Sequence, residues 1–254
     1  MGRAYVRIVV VQSVIVASLA AVAFGRGDES TKPSPRLAEL TAEIAKSPKS
    51  VDLYSERGDH YFQTGEFSKA LADYEKMVEI DPKLDVTHWR KGIALYYLER
   101  WEESAKQFEK YQTVDDVDRE NGIWRFMAME RRVGLEKARD KLIEYFRPDR
   151  PPLTEVYRMF QGTLSSADFR TKAEPFKPHT KERFYADLYL GIFLDIENER
   201  ESAVKHLKAA EANEWAKSAS GGPGWMWHIA PTHLKMIERR AAKEKKKAAE
   251  KKAG

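Results

Sequence analysis

Residues 51–84, VDLYSERGDHYFQTGEFSKALADYEKMVEIDPKL, decide the fold of this chain because similar residues return 34 positions later. Gly58 returns as Gly92, and Tyr74 returns as Phe108. A small residue and an aromatic residue at this spacing are typical of two amphipathic helices that pack closely together. One such pair cannot bury its apolar face alone. The repeat therefore predicts stacked pairs, an all-α helical solenoid with a concave groove.

The first unit matches a known repeat pattern at its framework positions. When Val51 is position 1, positions 4, 8, 11, 20, 24 and 32 hold Tyr54, Gly58, Tyr61, Ala70, Tyr74 and Pro82. This pattern resembles the tetratricopeptide repeat (TPR), which implies a TPR-type α-α superhelix. A TPR-like domain is predicted over residues 36–238, with units at about residues 51–84, 85–118, 119–147 and 184–214.

The repeat is interrupted between its second and last units. The third unit is degenerate, and its second helix is predicted to carry Ala138, Leu142 and Tyr145. Three prolines within residues 148–152 then stop the helical pattern, and an irregular helical stretch follows over residues 153–176. Within that stretch, residues 165–168 can cap a second short helix.

Single helices are predicted to close the domain at both ends. Leu37, Leu40 and Ile44 have the spacing of an N-terminal capping helix. Near the C-terminus, residues 218–224 predict a flexible Gly/Ser/Pro loop, and a closing helix is predicted to start at Pro231. The apolar residues expected to pack on the last unit are Trp227, Ala230, Leu234 and Ile237.

The N-terminus has the layout of an export signal. Residues 1–25 combine two arginines with an apolar run, and Ala21-Val22-Ala23 offers the small-x-small pattern that a signal peptidase requires. The alternative is an uncleaved membrane anchor, but the run is short and contains polar residues, which favours cleavage. A polar linker is predicted over residues 26–35. We therefore expect an exported protein of the periplasm or cell envelope.

Composition restricts the chemistry and the partners of the chain. It has no cysteine, which excludes disulfides, thiolate metal sites, cysteine nucleophiles and lipid attachment to cysteine. The tail, residues 239–254, carries eight Lys or Arg and two Glu, whereas the formal net charge of the whole chain is only +4. The folded body is therefore mildly acidic, and no general nucleic-acid-binding surface is predicted. The alternative function is binding to an anionic polymer or membrane surface through the Lys-rich tail.

No catalytic or metal-binding motif stands out. His228 and His233 are five residues apart, which is the wrong spacing for two ligands on one helical face. Asp116, Asp118 and Glu120 suggest a calcium loop, but the glycine and the bidentate acid that such a loop needs are out of place. The sequence contains no phosphate loop, zinc-protease helix or serine elbow. We expect no cofactor, no metal and no enzyme activity.

First-helix positions line the groove of a TPR solenoid, so these positions predict the binding site. A cluster of exposed aromatic residues there suits an extended or helical peptide. The alternative is that the irregular segment or the N-terminal helix folds back and covers the cluster. The predicted partner-binding groove residues are Phe62, Gln63, Trp89, Arg90, Ile93, Tyr96 and Tyr97.

The order of parts resembles the NlpI-type TPR proteins of the bacterial envelope. The residues that carry this resemblance are Gly58, Tyr61, Ala70, Pro82, Gly92, Phe108, Ile123-Trp124, Tyr189-Leu190-Gly191 and Ala203. It implies a non-enzymatic adaptor that binds a protein or peptide partner, such as an envelope protease or a peptidoglycan enzyme. Those proteins are lipidated on a cysteine, which this chain lacks. TPR domains that clamp chaperone C-termini are a poorer match, because Ser55, Asp59 and Arg90 replace their Lys and Asn residues.

Overall fold

A computed structural model describes residues 34–253, and every regular element in that part of the chain is a helix. The predicted export signal and nearly all of the predicted linker lie outside the described residues. The helices are α1 Pro35–Lys46, α2 Val51–Gln63, α3 Phe67–Ile80, α4 Leu84–Thr87, α5 Trp89–Tyr97, α6 Trp101–Tyr111, α7 Arg119–Val133, α8 Leu135–Arg139, α9 Leu153–Gln161, α10 Ser166–Ala173, α11 Lys181–Ile196, α12 Arg200–Glu211, α13 Glu214–Ser218, α14 Gly221–Trp227 and α15 Ile229–Ala253.

Three helix pairs show the close packing that the repeat predicts: α2 with α3, α5 with α6, and α11 with α12. A Cβ atom added at Gly58 would lie 2.7 Å from the Tyr74 ring, and one at Gly92 would lie 2.7 Å from the Phe108 ring. These distances are shorter than any normal contact between carbon atoms, so a larger residue at either position would have to displace the facing ring. The all-α fold predicted from the sequence is confirmed.

The N-terminal helix α1 covers the open side of the first unit. Leu37, Leu40 and Ile44 are all buried, as their spacing predicts. Next to it, the Arg57 guanidinium donates two hydrogen bonds to the Asp73 carboxylate, at 2.9 and 2.7 Å, and so links α2 to α3. The first unit is thus closed on one side by α1 and held internally by an ion pair.

The second helix of the third unit is shorter than the sequence suggests. It ends at Arg139, so Leu142 and Tyr145 lie in an irregular segment and not on a helix. The Tyr145 hydroxyl donates to the Asp118 carbonyl at 3.1 Å, and its ring lies against Gly122 of α7. Single aromatic side chains therefore fill space that a longer helix would occupy. The predicted helix through Tyr145 is wrong for this reason.

Two short helices, α9 and α10, follow the proline-rich break. The Ser165 hydroxyl accepts a hydrogen bond from the Asp168 backbone N–H at 3.0 Å and donates to the Asp168 carboxylate at 2.7 Å. This reciprocal cap satisfies a free donor at the first turn of α10. The cap that the sequence predicts at residues 165–168 is present.

The C-terminal segment departs most from the sequence prediction. Residues 221–227 form helix α14 where a flexible loop was expected, and α15 begins at Ile229, two residues before Pro231. Proline is tolerated there because the first turn of a helix needs no N–H donor from it. Ala230, Leu234 and Ile237 are buried, and α15 packs on α12. Among residues 34–253, no helix combines the length and apolar character required to span a bilayer.

Candidate functional site

The concave face is where the sequence places the binding groove, and α2 and α5 supply all of the predicted residues. Phe62, Ile93 and Tyr96 are almost fully buried. Trp89, Arg90 and Tyr97 are half-buried, and Gln63 is exposed. The expectation that the predicted groove residues are exposed is therefore wrong for Phe62, Ile93 and Tyr96. Partner binding by these seven residues stays a prediction.

Helices α14 and α15 cover the aromatic cluster. The Trp225 ring centroid lies 4.5 Å from that of Phe62 and 4.8 Å from that of Trp89. Centroids at this separation and tilt make favourable aromatic pairs. The cluster was expected to be covered, if at all, by the irregular segment or by α1. The sequence does not point to Trp225 as the covering residue, because it follows a Gly- and Pro-rich stretch and has no fixed position in the repeat.

Asp59 holds Trp225 in position. Its carboxylate accepts hydrogen bonds from the Trp225 indole N–H at 2.9 Å, from the Tyr74 hydroxyl at 2.7 Å and from the Arg90 guanidinium at 2.6 Å. Asp59 and Arg90 stand at two positions that chaperone-clamping TPR domains fill with asparagine. Here they neutralise each other, and they cannot provide the neutral amide donors of such a clamp.

A second polar junction joins α15 to α11. The Tyr97 hydroxyl lies 3.4 Å from Nδ1 of His233, and Nε2 of His233 lies 3.2 Å from the Asp195 carboxylate. Arg240 also pairs with Asp195. Burial opposes ionisation of Asp195, but His233 and Arg240 outweigh it and hold the pKa of this carboxyl below its usual range. The closing helix is thus fixed by a buried charge as well as by apolar contacts.

Part of the concave face remains open as a cavity of about 240 Å³ between α5, α7 and α14. Its walls combine aromatic and apolar surface with a few charged groups. The lining residues are Trp89, Ile93, Phe108, Tyr111, Asp118, Glu120, Asn121, Trp124, Arg150, Lys181, Tyr185, Gly222, Pro223 and Met226. Two of the predicted groove residues, Trp89 and Ile93, therefore belong to it. We call it the concave cavity.

Two buried donors on α7 line the concave cavity. Trp124 is 1% exposed, and its indole N–H has no hydrogen-bond partner among residues 34–253. Asn121 is 4% exposed, and its side-chain amide interacts with the Tyr111 hydroxyl, where it opposes the effect of burial on the pKa of that group. Buried donors are normally satisfied. The Trp124 indole N–H is therefore prepared to donate to a ligand that carries an acceptor atom.

The carboxyl of Glu120 is a titratable group in the wall of the concave cavity. Its carboxylate accepts from the Tyr189 hydroxyl at 2.6 Å and pairs with Arg150. Burial, with the neighbouring Asp118 charge, raises the pKa of Glu120 to about 7, although Arg150 opposes the shift. The charge of the cavity therefore changes near neutral pH.

The three acids that suggest a calcium loop form ion pairs with arginines. Asp118 and Glu120 both contact Arg150, and Asp116 pairs with Arg147. In the part of the chain that the structure describes, no three His, Cys, Asp or Glu side chains come close enough together to hold a metal ion. His233 contacts Asp195 and Tyr97, so its ring nitrogens are both engaged within the protein.

Comparison with known proteins identifies the repeat. A family model described as "Tetratricopeptide repeat" matches residues 51–84, the bounds of the first predicted unit. A "Lipoprotein NlpI homolog" of Haemophilus influenzae is 21% identical over 184 residues, which cover 69% of this chain and 58% of that protein. This chain thus spans little more than half of that relative's length. The prediction of a TPR protein that resembles NlpI is confirmed.

Other matches are shorter or more distant. A "Protein SGT1 homolog" of Oryza sativa subsp. japonica is 34% identical over 28% of this chain and 20% of that protein, and one of Bos taurus is 27% identical over 36% and 27%. A crystal structure of a tetratricopeptide repeat protein from Parabacteroides merdae superposes with a TM-score of 0.48 at 18% identity, over 76% of each chain. TPR proteins mediate protein–protein interaction.

Proposed function

We propose that this protein is an exported, non-enzymatic TPR adaptor that binds a segment of a protein partner in the concave cavity. The unpartnered indole N–H of the buried Trp124 carries the proposal. A buried donor left without an acceptor costs about 1–3 kcal/mol, and a ligand that supplies the acceptor recovers that energy. Backbone carbonyls of a peptide are acceptors of this kind.

The walls of the cavity define the partner's chemistry. Trp89, Tyr185 and Met226 offer apolar and aromatic surface that suits one large apolar side chain. The Trp124 indole N–H can donate to a carbonyl group beside that side chain. We therefore propose a short peptide segment with an apolar anchor. Following the resemblance to NlpI-type proteins, its source would be an envelope protease or a peptidoglycan enzyme.

Gly222 allows the cavity to be blocked without disturbing the fold. A Cβ atom added at Gly222 meets no atom within 4 Å, and Gly222 lines the concave cavity. Gly222→Phe should therefore fill the cavity entrance, and affinity capture from the native host with mass spectrometry should lose the partner. Ser220→Phe is the matched control, because Ser220 is exposed and lies outside the cavity lining. Equal capture by the two variants would exclude the cavity as the binding site.

Trp124→Phe tests the hydrogen bond alone. The ring is kept while the N–H is removed, so binding of the captured partner should weaken by about 2- to 10-fold, the value of one net hydrogen bond of about 0.5–1.5 kcal/mol. Isothermal titration calorimetry with the purified partner measures this. An unchanged affinity would mean that the indole N–H does not contact the ligand.

Export is the second part of the proposal, supported by the charged and apolar layout of residues 1–25. Fusion of these residues to a reporter that is active only outside the cytoplasm should give activity. N-terminal sequencing of the mature protein should give a start at Phe24. A start at Met1 would instead support the membrane anchor, and an inactive reporter would contradict export.

A further inference from the structure

A second depression lies apart from the concave cavity, between the turns of the first two units and helix α15. It has a volume of about 360 Å³, and no residue lines both it and the concave cavity. Residues 63–67 and Trp101 form one side, and residues 232–243 of α15 form the other. We call it the basic cleft, because five of its lining residues are Lys or Arg and only Glu99 is acidic.

Three of the five cations form a stripe along α15. Lys235, Arg239 and Lys243 follow one another at intervals of four residues, which places them on one helical face. All three are exposed, and none has an ion pair or hydrogen bond with any residue in the range 34–253. Their charges are therefore available to an outside ligand.

The two remaining cations lie deeper and are partly neutralised. Arg131 lies 3.6 Å from the Asp195 carboxylate and 3.5 Å from that of Glu130, and Arg240 also pairs with Asp195. Asp195 is 5% exposed, so this carboxylate anchors both guanidinium groups from below. The base of the cleft is thus fixed and close to neutral, while the α15 side carries uncompensated positive charge.

The side of the cleft opposite α15 contains aromatic surface. The Phe67 and Tyr97 rings stack with centroids 5.3 Å apart, and Trp101 is half-buried on the same side. Met236, also half-buried, adds apolar surface on the α15 side. Aromatic surface next to lysine and arginine suits a ligand that has both an apolar group and negative charge.

We propose that the basic cleft binds an acidic peptide segment of a protein partner. Glu and Asp side chains would pair with Lys235, Arg239 and Lys243, and one Phe or Leu would pack on Phe67 and Trp101. A peptide fits better than a membrane, because a flat bilayer cannot reach the recessed aromatic side. This site goes beyond the proposed function, because it is separate from the concave cavity and requires a ligand of different charge.

The first test measures the fluorescence anisotropy of a labelled peptide in which Glu and Asp flank one Phe. The wild-type protein should bind it, and added salt should weaken binding, since exposed charges are screened. Lys235→Glu with Arg239→Glu should weaken binding about tenfold or more, the factor that corresponds to about 1.4 kcal/mol. A peptide with Gly in place of Phe should also bind more weakly. No binding to wild-type protein near physiological ionic strength would overturn the proposal.

The matched control is Lys245→Glu with Lys247→Glu, the same charge change on the same helix beyond the cleft. An equal loss of peptide binding in both double variants would mean that the positive tail attracts the peptide in general. It would overturn the proposal that the cleft is the binding site. If the charge-reversed variant folds poorly by circular dichroism, Lys235→Gln with Arg239→Gln replaces it and should still weaken binding.

Vesicles that contain anionic phosphatidylserine and neutral phosphatidylcholine test whether the cleft binds a membrane surface instead of a peptide. Binding to these vesicles that is lost in Lys235→Glu/Arg239→Glu, without binding of the acidic peptide, would assign the cleft to a membrane surface and overturn the proposal. The Gly222→Phe variant separates the two sites, because it should retain acidic-peptide binding while losing the partner of the concave cavity.

Discussion

Inside the regular helix pairs a glycine lies against a large side chain, whereas on the concave face large aromatic rings lie against each other. Gly92 faces Phe108 so closely that a side chain at position 92 would have to displace the ring. On the concave face, Trp225 lies between Phe62 and Trp89, and its indole N–H reaches Asp59. The seam of each pair is therefore fixed by neighbours within one repeat. The concave face is fixed by a helix from the far end of the chain.

This difference predicts different responses to substitution, and the largest is expected at Trp225. Trp225→Ala should lower the free energy of unfolding by about 3–5 kcal/mol, because a buried aromatic side chain is removed from between two rings. Trp225→Phe should cost less, about 1.5–3 kcal/mol, the value of a hydrogen bond to a charged group. Urea unfolding followed by circular dichroism measures both. A loss below about 1 kcal/mol for Trp225→Ala would show that α14 adds little to stability.

The seam is tested at Gly191, where the neighbours include backbone atoms. A Cβ atom there would lie 2.8 Å from Cγ of Leu207 and 3.0 Å from its backbone nitrogen, so the conflict cannot be relieved by one rotamer change. Gly191→Ala should therefore destabilise the fold by about 2–3 kcal/mol in the same urea titration. Gly222→Ala is the control on the concave side and should be neutral or stabilising by up to about 1 kcal/mol, because its surroundings are open. Similar losses in both variants would contradict the comparison.

The smallest expected effect is on the pH dependence of stability, to which the buried acids Glu120 and Asp195 contribute in different pH ranges. The pKa of Glu120 is raised from 4.5 to about 7, so between these pH values the folded protein holds a proton that the unfolded chain has released. Stability should therefore fall by roughly 1–3 kcal/mol as the pH rises through this window. The pKa of Asp195 is lowered, so its contribution is lost only when the pH falls below about 4.

Glu120→Gln should flatten the decline in stability between about pH 5 and 7, measured by thermal unfolding in a series of buffers. Glu144→Gln, an exposed acid on the neighbouring irregular segment, should leave the decline unchanged. A decline that is identical in wild type and Glu120→Gln would mean that another group is responsible.

Much of the helical framework could be predicted because its information is local. The spacing of Gly58, Ala70 and Tyr74 defines both helices of one pair, and the Ser165 cap depends on a residue three positions away. The concave cavity was only partly predictable. Trp89 and Ile93 follow from repeat positions, but Tyr185 and Met226 reach the cavity from distant helices that have no fixed place in the repeat.

The sequence by itself determined the paired helices, the glycine positions between them and the positive charge of the tail, because these depend on periodicity and composition. Only the tertiary structure decided that Trp225 covers the predicted groove and that α15 forms one side of the basic cleft. The physical reason is sequence distance: Trp225 and Asp59 meet across 166 residues. Such a contact is selected by the packing of the whole domain and leaves no periodic trace in the chain.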